Sequence, residues 1–135
     1  MKIAVRYYTK SGNTKKLADT IAGAVGVESK EVSVPLEEKV DVLFLGSSVY
    51  AAGVDDAVKK FVADNKDKIG TIYNFSTAAL LPSTYKQMIK IAQEHGVALS
   101  EKEFHCRGSF GPMHKNRPNA EDLKAVATFA KRVIE

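Results

Sequence analysis

Thr9-Lys10-Ser11-Gly12-Asn13-Thr14 is the stretch on which the reading of this 135-residue chain turns. An apolar run, residues 3–8, precedes it, and an amphipathic run, residues 15–25, follows it. In order, that is a strand, a hydroxyl-rich turn and a helix. Thr9, Ser11, Asn13 and Thr14 can each hydrogen-bond an oxyanion. Gly12 lacks a Cβ, so the backbone there can adopt unusual dihedrals and approach a ligand closely. The helix start adds unpaired N–H groups and the positive end of a dipole. Together these spell a phosphate cradle built mainly from neutral donors.

Outward from this turn, apolar strand patterns alternate with helical ones. Residues 3–8, 31–34, 40–46, 71–76 and 99–106 read as strands. Val42-Leu43-Phe44-Leu45 is a continuous apolar run, as expected of a strand covered on both faces. Helical spacing places Leu17, Ile21 and Ala24 on one face of residues 13–25. It does the same for Val54, Ala57, Val58, Phe61 and Val62 within 54–65, and for Met88, Ile89 and Ala92 within 84–95. Gly96 is a helix stop. Asn119 reads as the N-cap of a last helix carrying Leu123, Val126, Ala127, Ala130 and Ile134. The alternation predicts one three-layer α/β domain over residues 1–135, a parallel sheet with helices on both faces.

In such sheets a ligand sits outside the carboxyl ends of the strands, where the strand order reverses. Three loops fall there: 9–14, 47–53 and 76–82. The second, Gly46-Ser47-Ser48-Val49-Tyr50-Ala51-Ala52-Gly53, is small-residued with one aromatic. The third, Ser76-Thr77-Ala78-Ala79-Leu80-Leu81-Pro82, is small, apolar and hydroxyl-bearing. Two such loops can sandwich a flat ring, with Tyr50 stacked on one face. A tyrosine that merely covers the sheet edge is the plainer reading of the same residue.

These residues resemble the flavodoxins. Val5, Tyr7, Thr9, Gly12, Thr14, Ala18 and Ile21 fit the family's first-strand signature, and Arg6 departs from it where a second apolar residue is expected. The Gly-Ser-Ser-Val-Tyr-Ala loop and the element order extend the resemblance over essentially the whole chain. It implies a five-stranded flavodoxin-like sheet of order 2-1-3-4-5 and FMN bound at the switch between the first and third strands. Thr9, Lys10, Ser11, Gly12, Asn13 and Thr14 would hold the 5′-phosphate. Ser48, Val49, Tyr50, Ala51, Ala52 and Gly53, with Ser76, Thr77, Ala78 and Ala79, would flank the isoalloxazine. By the same resemblance, Gly53 or the Ala51-Ala52 peptide is where the backbone would turn to meet flavin N5 on reduction. The expected function is electron transfer with a reductase or acceptor protein. The alternative is a flavin-dependent oxidoreductase acting on a quinone or tetrapyrrole, because the 46–53 loop is also similar to that of flavodoxin-type protoporphyrinogen oxidases. The family's acidic, tyrosine-bearing loop after the fourth strand is replaced by 76–81, so the outer aromatic is either missing or supplied elsewhere, with Tyr85 and Phe110 as the candidates.

Charge separates this chain from the family pattern. Flavodoxins are usually strongly acidic, whereas 20 basic and 16 acidic residues leave this chain at +4. An acidic partner is one consequence; solvated helix lysines explain the balance equally. Without a dense basic run interleaved with aromatics, nucleic acid is not expected as a partner. No apolar stretch approaches the ~20 residues a membrane span needs. One cysteine, Cys106, allows no internal disulfide, and a cytoplasmic monomer or weak dimer is expected. Cys106 reads as a small buried hydrophobe, His105 as its exposed neighbour and His95 as a helix C-terminal residue. His114 lies in the irregular, basic 108–118 segment with Lys115 and Arg117. No His, Cys and carboxylate spacing suggests a metal. The Walker phosphate loop and the three-glycine dinucleotide fingerprint are both missing.

Overall fold

The computed structural model describes residues 1–10, 12–49, 54–78, 84–107 and 117–135, and the side chains of all but Val49, Ala78 and Arg107 among them. The elements run β1 (Ile3–Tyr7), α1 (Asn13–Val25), β2 (Ser29–Glu31), β3 (Val40–Val49) and α2 (Asp56–Asn65). A short 3₁₀ turn leads to β4 (Ile69–Ala78), α3 (Tyr85–His95), β5 (Ala98–Leu99), β6 (Phe104–Arg107) and α4 (Ala120–Val133). The sheet is parallel throughout, in the order β2-β1-β3-β4-β5, with β6 also paired to β4.

Successive strand residues point to opposite faces, so each central strand feeds two cores. Val5, Val42, Phe44 and Phe75 pack on Leu17, Ala18 and Ile21 of α1 and on Val126 and Ala130 of α4. Ala4, Leu43, Leu45 and Ile72 pack on Val58, Phe61 and Val62 of α2 and on Met88 and Ile91 of α3. The three expected layers follow from that alternation.

The ends of the helices obey local rules. Gly96, at φ 65°, closes α3, with its N–H bonded to the carbonyls of Ala92 and Gln93. Asn119 caps α4 in a reciprocal box: its side chain accepts from Asp122 N at 3.0 Å, and Asp122 accepts from Asn119 N at 2.8 Å. α2 starts two residues later than the apolar pattern suggests, because Asp55 takes the cap and accepts from Ala57 N at 2.9 Å.

Three expectations needed correction. The fifth strand, read as one segment over 99–106, is two short strands beside β4. Its middle, Ser100-Glu101-Lys102-Glu103, has no apolar residue to bury, and Lys102 N turns back to Ser100 Oγ at 3.1 Å. β2 lies at 29–31 rather than 31–34. A turn from Val34 N to the Glu31 carbonyl follows it, and Arg6 donates to the Val34 and Pro35 carbonyls beyond. On α3, Ile91 rather than Ile89 joins Met88 and Ala92 in the core. Ile89 follows Met88 by one residue, about 100° around the helix, which turns it off the stripe.

Arg6 is the least expected core residue, only 6% exposed. Its Nε donates to the Val34 carbonyl at 2.9 Å, Nη2 to Pro35 at 3.2 Å and Nη1 to Val5 at 3.1 Å. Burial lowers its pKa, against the attraction of Glu37. Leu36, next in the same connection, is buried and held by Asn65 Oδ1 on its N–H and Lys68 Nζ on its carbonyl. The link from β2 to β3 is thus fastened by side chains from three other elements.

Candidate functional site

The carboxyl ends of β1, β3 and β4 lie side by side, and each leads into one of the three loops singled out in the sequence. β1 ends at Tyr7. Tyr8 N still donates to the Gly46 carbonyl at 3.0 Å, holding the start of the first loop against β3. Thr9 Oγ1 then accepts from Gly12 N at 2.9 Å, a tight turn that delivers the chain into α1. Gly12 has φ 89°, a left-handed conformation that side chains disfavour, so glycine suits this corner. No acidic residue occupies the first turn of α1, and Lys15 and Lys16 are exposed there. The positive end of the helix is left without an internal counter-charge in that turn.

Thr14 joins the start of α1 to the ends of β3 and β4. It is fully buried, and its hydroxyl lies 3.0 Å from Thr77 Oγ1 and 3.2 Å from Ser48 Oγ. Ser48 and Thr77 are register partners on β3 and β4, on the face that carries α1. Residues 34 and 63 positions away in sequence therefore meet Thr14. Val49 and Ala78 are the next register pair. Lys10 is exposed at the loop tip, and Asn13 is buried at the helix start. Ser11, Tyr50, Ala51, Ala52, Gly53 and Ala79 lie outside the described residues, as do Phe110, His114 and Lys115.

Close packing shapes the ends of the strands. A Cβ at Gly46 would fall 2.1 Å from Phe75 Cε2, so glycine lets the Phe75 ring lie against β3. On the opposite face, Ser47 is 2% exposed and its hydroxyl has no partner among the described residues.

Sequence reasoning missed two residues beside the site, Asn74 and Thr84. Both are fully buried, and Asn74 Nδ2 donates to Thr84 Oγ1 at 3.0 Å. A polar residue inside Ile72-Tyr73-Asn74-Phe75, a strand covered on both faces, was the signal available.

The remaining candidates fall outside this cluster. Tyr85 donates its hydroxyl to the Ser100 carbonyl at 3.0 Å, a tie to the outer strand that weakens its claim as a stacking aromatic. His105 is exposed and 2.8 Å from Glu103. Arg117 is bound to Asp122 at 2.6 and 2.9 Å. Cys106 is half-buried rather than fully buried; burial pushes its thiol up to about 12, aided by Asp122 and opposed by Arg117. Among the described residues no helix is long and apolar enough to cross a membrane.

Comparison with known proteins agrees with this architecture. An uncharacterized protein of Methanocaldococcus jannaschii, MJ0298, is 28% identical over 137 residues, 91% of each chain. A flavodoxin from the domain Archaea superposes with a TM-score of 0.77 at 18% identity, over all of both chains. Oxidised flavodoxin 1 from Bacillus cereus gives 0.75 at 22% identity, covering 99% of this chain and 97% of that one. A family model for the flavodoxin domain matches residues 4–106. With the sheet order and the first-loop turn, that match makes this chain a member of the flavodoxin domain family.

Proposed function

We propose that this chain binds one FMN non-covalently and passes electrons between partner proteins. The observation that supports the reading is the meeting of Thr14, Ser48 and Thr77, which ties the start of α1 to the ends of β3 and β4, the strands that lead into the segments that would flank the ring. The donor set suits a phosphate monoester: a left-handed glycine corner, a helix N-terminus free of acidic residues, and hydroxyls rather than carboxylates. The ring side suits a flat heterocycle, because Ser48, Ser76 and Thr77 are small and hydroxyl-bearing and allow close backbone approach.

In this reading Thr9, Lys10, Ser11, Gly12, Asn13 and Thr14 bind the 5′-phosphate. The segments Ser48–Gly53 and Ser76–Ala79 orient the ring and exclude water from it, with Tyr50 stacking on one face. When bound, the flavin supplies electron transfer, and the chain tunes and presents it. The whole of residues 1–135 acts as a single cytoplasmic domain, a monomer or weak dimer. Its partner presents an acidic face. Exposed Lys15 and Lys16 open α1 and exposed Lys86 opens α3, and neither first turn carries an acidic residue.

Stepwise anaerobic reduction after FMN addition tests the reading. Bound-flavin bands and two resolved one-electron steps are the expected result. A single two-electron step, with saturable turnover of a quinone or tetrapyrrole, would replace the carrier with an oxidoreductase. Absence of FMN binding would remove the reading altogether.

A further inference from the structure

A groove of about 580 Å³ lies between α2, the end of β1 and the segment that follows β2. Tyr8, Val32 and Pro35 form one side, and Ala57 and Phe61 of α2 form the other. Tyr8 and Val32 are half-buried and pack on the core that contains Phe61. Lys60 and Asp64 are exposed at the rim and pair with each other, Nζ to Oδ2 at 2.6 Å. Glu31 also borders the groove, but it is the register partner of Tyr7, whose ring belongs to the opposite core. Its carboxylate therefore points to the other face of the sheet.

The chemistry of the walls narrows what can fill the groove. Asn65 offers nothing to a ligand: its Oδ1 accepts from Leu36 N at 3.0 Å, and its Nδ2 donates to the Phe61 carbonyl at 2.9 Å. The Tyr8 hydroxyl makes no hydrogen bond to the described residues and is available. The groove thus presents aromatic and aliphatic walls, a free phenol and no unpaired charge. Its volume lies within the roughly 300–1,000 Å³ of small-molecule sites. A protein partner would need a wider apolar surface, about 800 Å² on each side. Of the large hydrophobics among the described residues, only Met1 and Val34 are exposed, so no such surface surrounds the groove.

We propose that this groove binds a small, flat, uncharged aromatic molecule carrying one hydrogen-bonding group. The ring lies between Tyr8 and Pro35 on one side and Ala57 and Phe61 on the other, where aromatic contacts add to area burial. The polar group meets the Tyr8 hydroxyl. A charged group would lose its hydration there without gaining a counter-charge. The groove is distinct from the phosphate cradle and adjoins it. Tyr8 runs directly into Thr9, and its N–H is bonded to the Gly46 carbonyl at 3.0 Å. The site takes a second ligand beside the one assigned to the cradle, and it does not rest on the FMN reading.

The test titrates the full chain with 2-naphthol by calorimetry and locates the probe by nuclear Overhauser contacts. Saturable one-to-one binding is expected, with contacts to the rings of Tyr8 and Phe61. 2-Naphthoate, similar in size but charged, should bind at least tenfold more weakly. Ala57→Leu fills the groove and should weaken 2-naphthol at least tenfold, whereas Ala57→Ser should behave as wild type. Tyr8→Phe should weaken it about three- to tenfold. FMN affinity should be the same in all of these variants. No saturable binding, contacts elsewhere, or undiminished affinity in Ala57→Leu would overturn the proposal. Equal losses for FMN would overturn it too, by showing a general disturbance. A dimer in sedimentation that Ala57→Leu dissociates would give the groove to a second copy of the chain, against the proposal. A wild type that binds 2-naphthol in the groove but no FMN would uphold it and overturn the electron-carrier reading. Should Ala57→Leu fail to fold, Tyr8→Phe decides, and unchanged 2-naphthol affinity there would overturn the assignment.

Discussion

The hydroxyls of Thr14 and Thr77 lie 3.0 Å apart, though 63 residues separate them in the chain. One belongs to the helix that follows β1, the other to the end of β4. Their contact, shared with Ser48, ties the start of α1 to the ends of β3 and β4. Thr14→Val keeps the shape and removes the hydroxyl, leaving Thr77 and Ser48 without this partner. The expected loss of FMN affinity is about 1–3 kcal/mol, measurable by calorimetric titration. Affinity equal to wild type would remove Thr14 from the cradle.

Gly46 and Phe75 form a second coupled pair at the same end of the sheet. Gly46→Ala places a methyl where the Phe75 ring lies, and strand backbone on both sides leaves little room to yield. The variant should lose about 1–3 kcal/mol in urea denaturation. Gly23→Ala is the control. It is exposed in the last turn of α1 with nothing within 4 Å of the new Cβ, and should gain up to about 1 kcal/mol. Equal effects of the two substitutions would show that the ring contact is unimportant.

Asp122 joins the α4 cap to Arg117. Burial pushes its carboxyl up, but the Arg117 hydrogen bonds, the Asn119 N–H and the Arg117 charge together hold it below its ordinary value of 3.8. A carboxyl depressed in the folded state contributes stability that is present above that ordinary value and lost as pH falls through the folded one. Asp122→Ala should therefore cost about 1–2 kcal/mol at pH 7. The gap to wild type should narrow as the pH enters the acidic carboxyl range. Thermal melts from pH 7 to pH 3 check it, and a gap that widens toward acid would contradict the assignment.

Cys106, pushed up to about 12 chiefly by burial, is protonated at neutral pH and a poor nucleophile. Iodoacetamide at pH 8 should modify it at least tenfold more slowly in the folded protein than in urea, as followed by mass spectrometry. Rapid modification of the folded chain would indicate an open, ionised thiol.

Much of this was legible in the residues themselves. The alternation of apolar runs gave the order of strands and helices. Gly12, Gly96 and Asn119 act through their own backbone neighbours, so their turn, stop and cap could be named from local chemistry alone. The three loops at the carboxyl ends followed from the parallel topology. Arg6 was visible as a departure, but its burial was not, because it depends on carbonyls 28 and 29 residues away.

The sequence by itself determined the α/β class, the layer pattern and the loops in which to seek a ligand, because helix and strand periods and caps are local properties. Only the tertiary structure decided the split of the outer strand, the burial of Arg6, the pairing of Asn74 with Thr84 and the meeting of Thr14 with Ser48 and Thr77. Each of these depends on which residues stand opposite one another across strands and helices. That register is fixed by packing two cores against one sheet, and no local stretch of chain contains it.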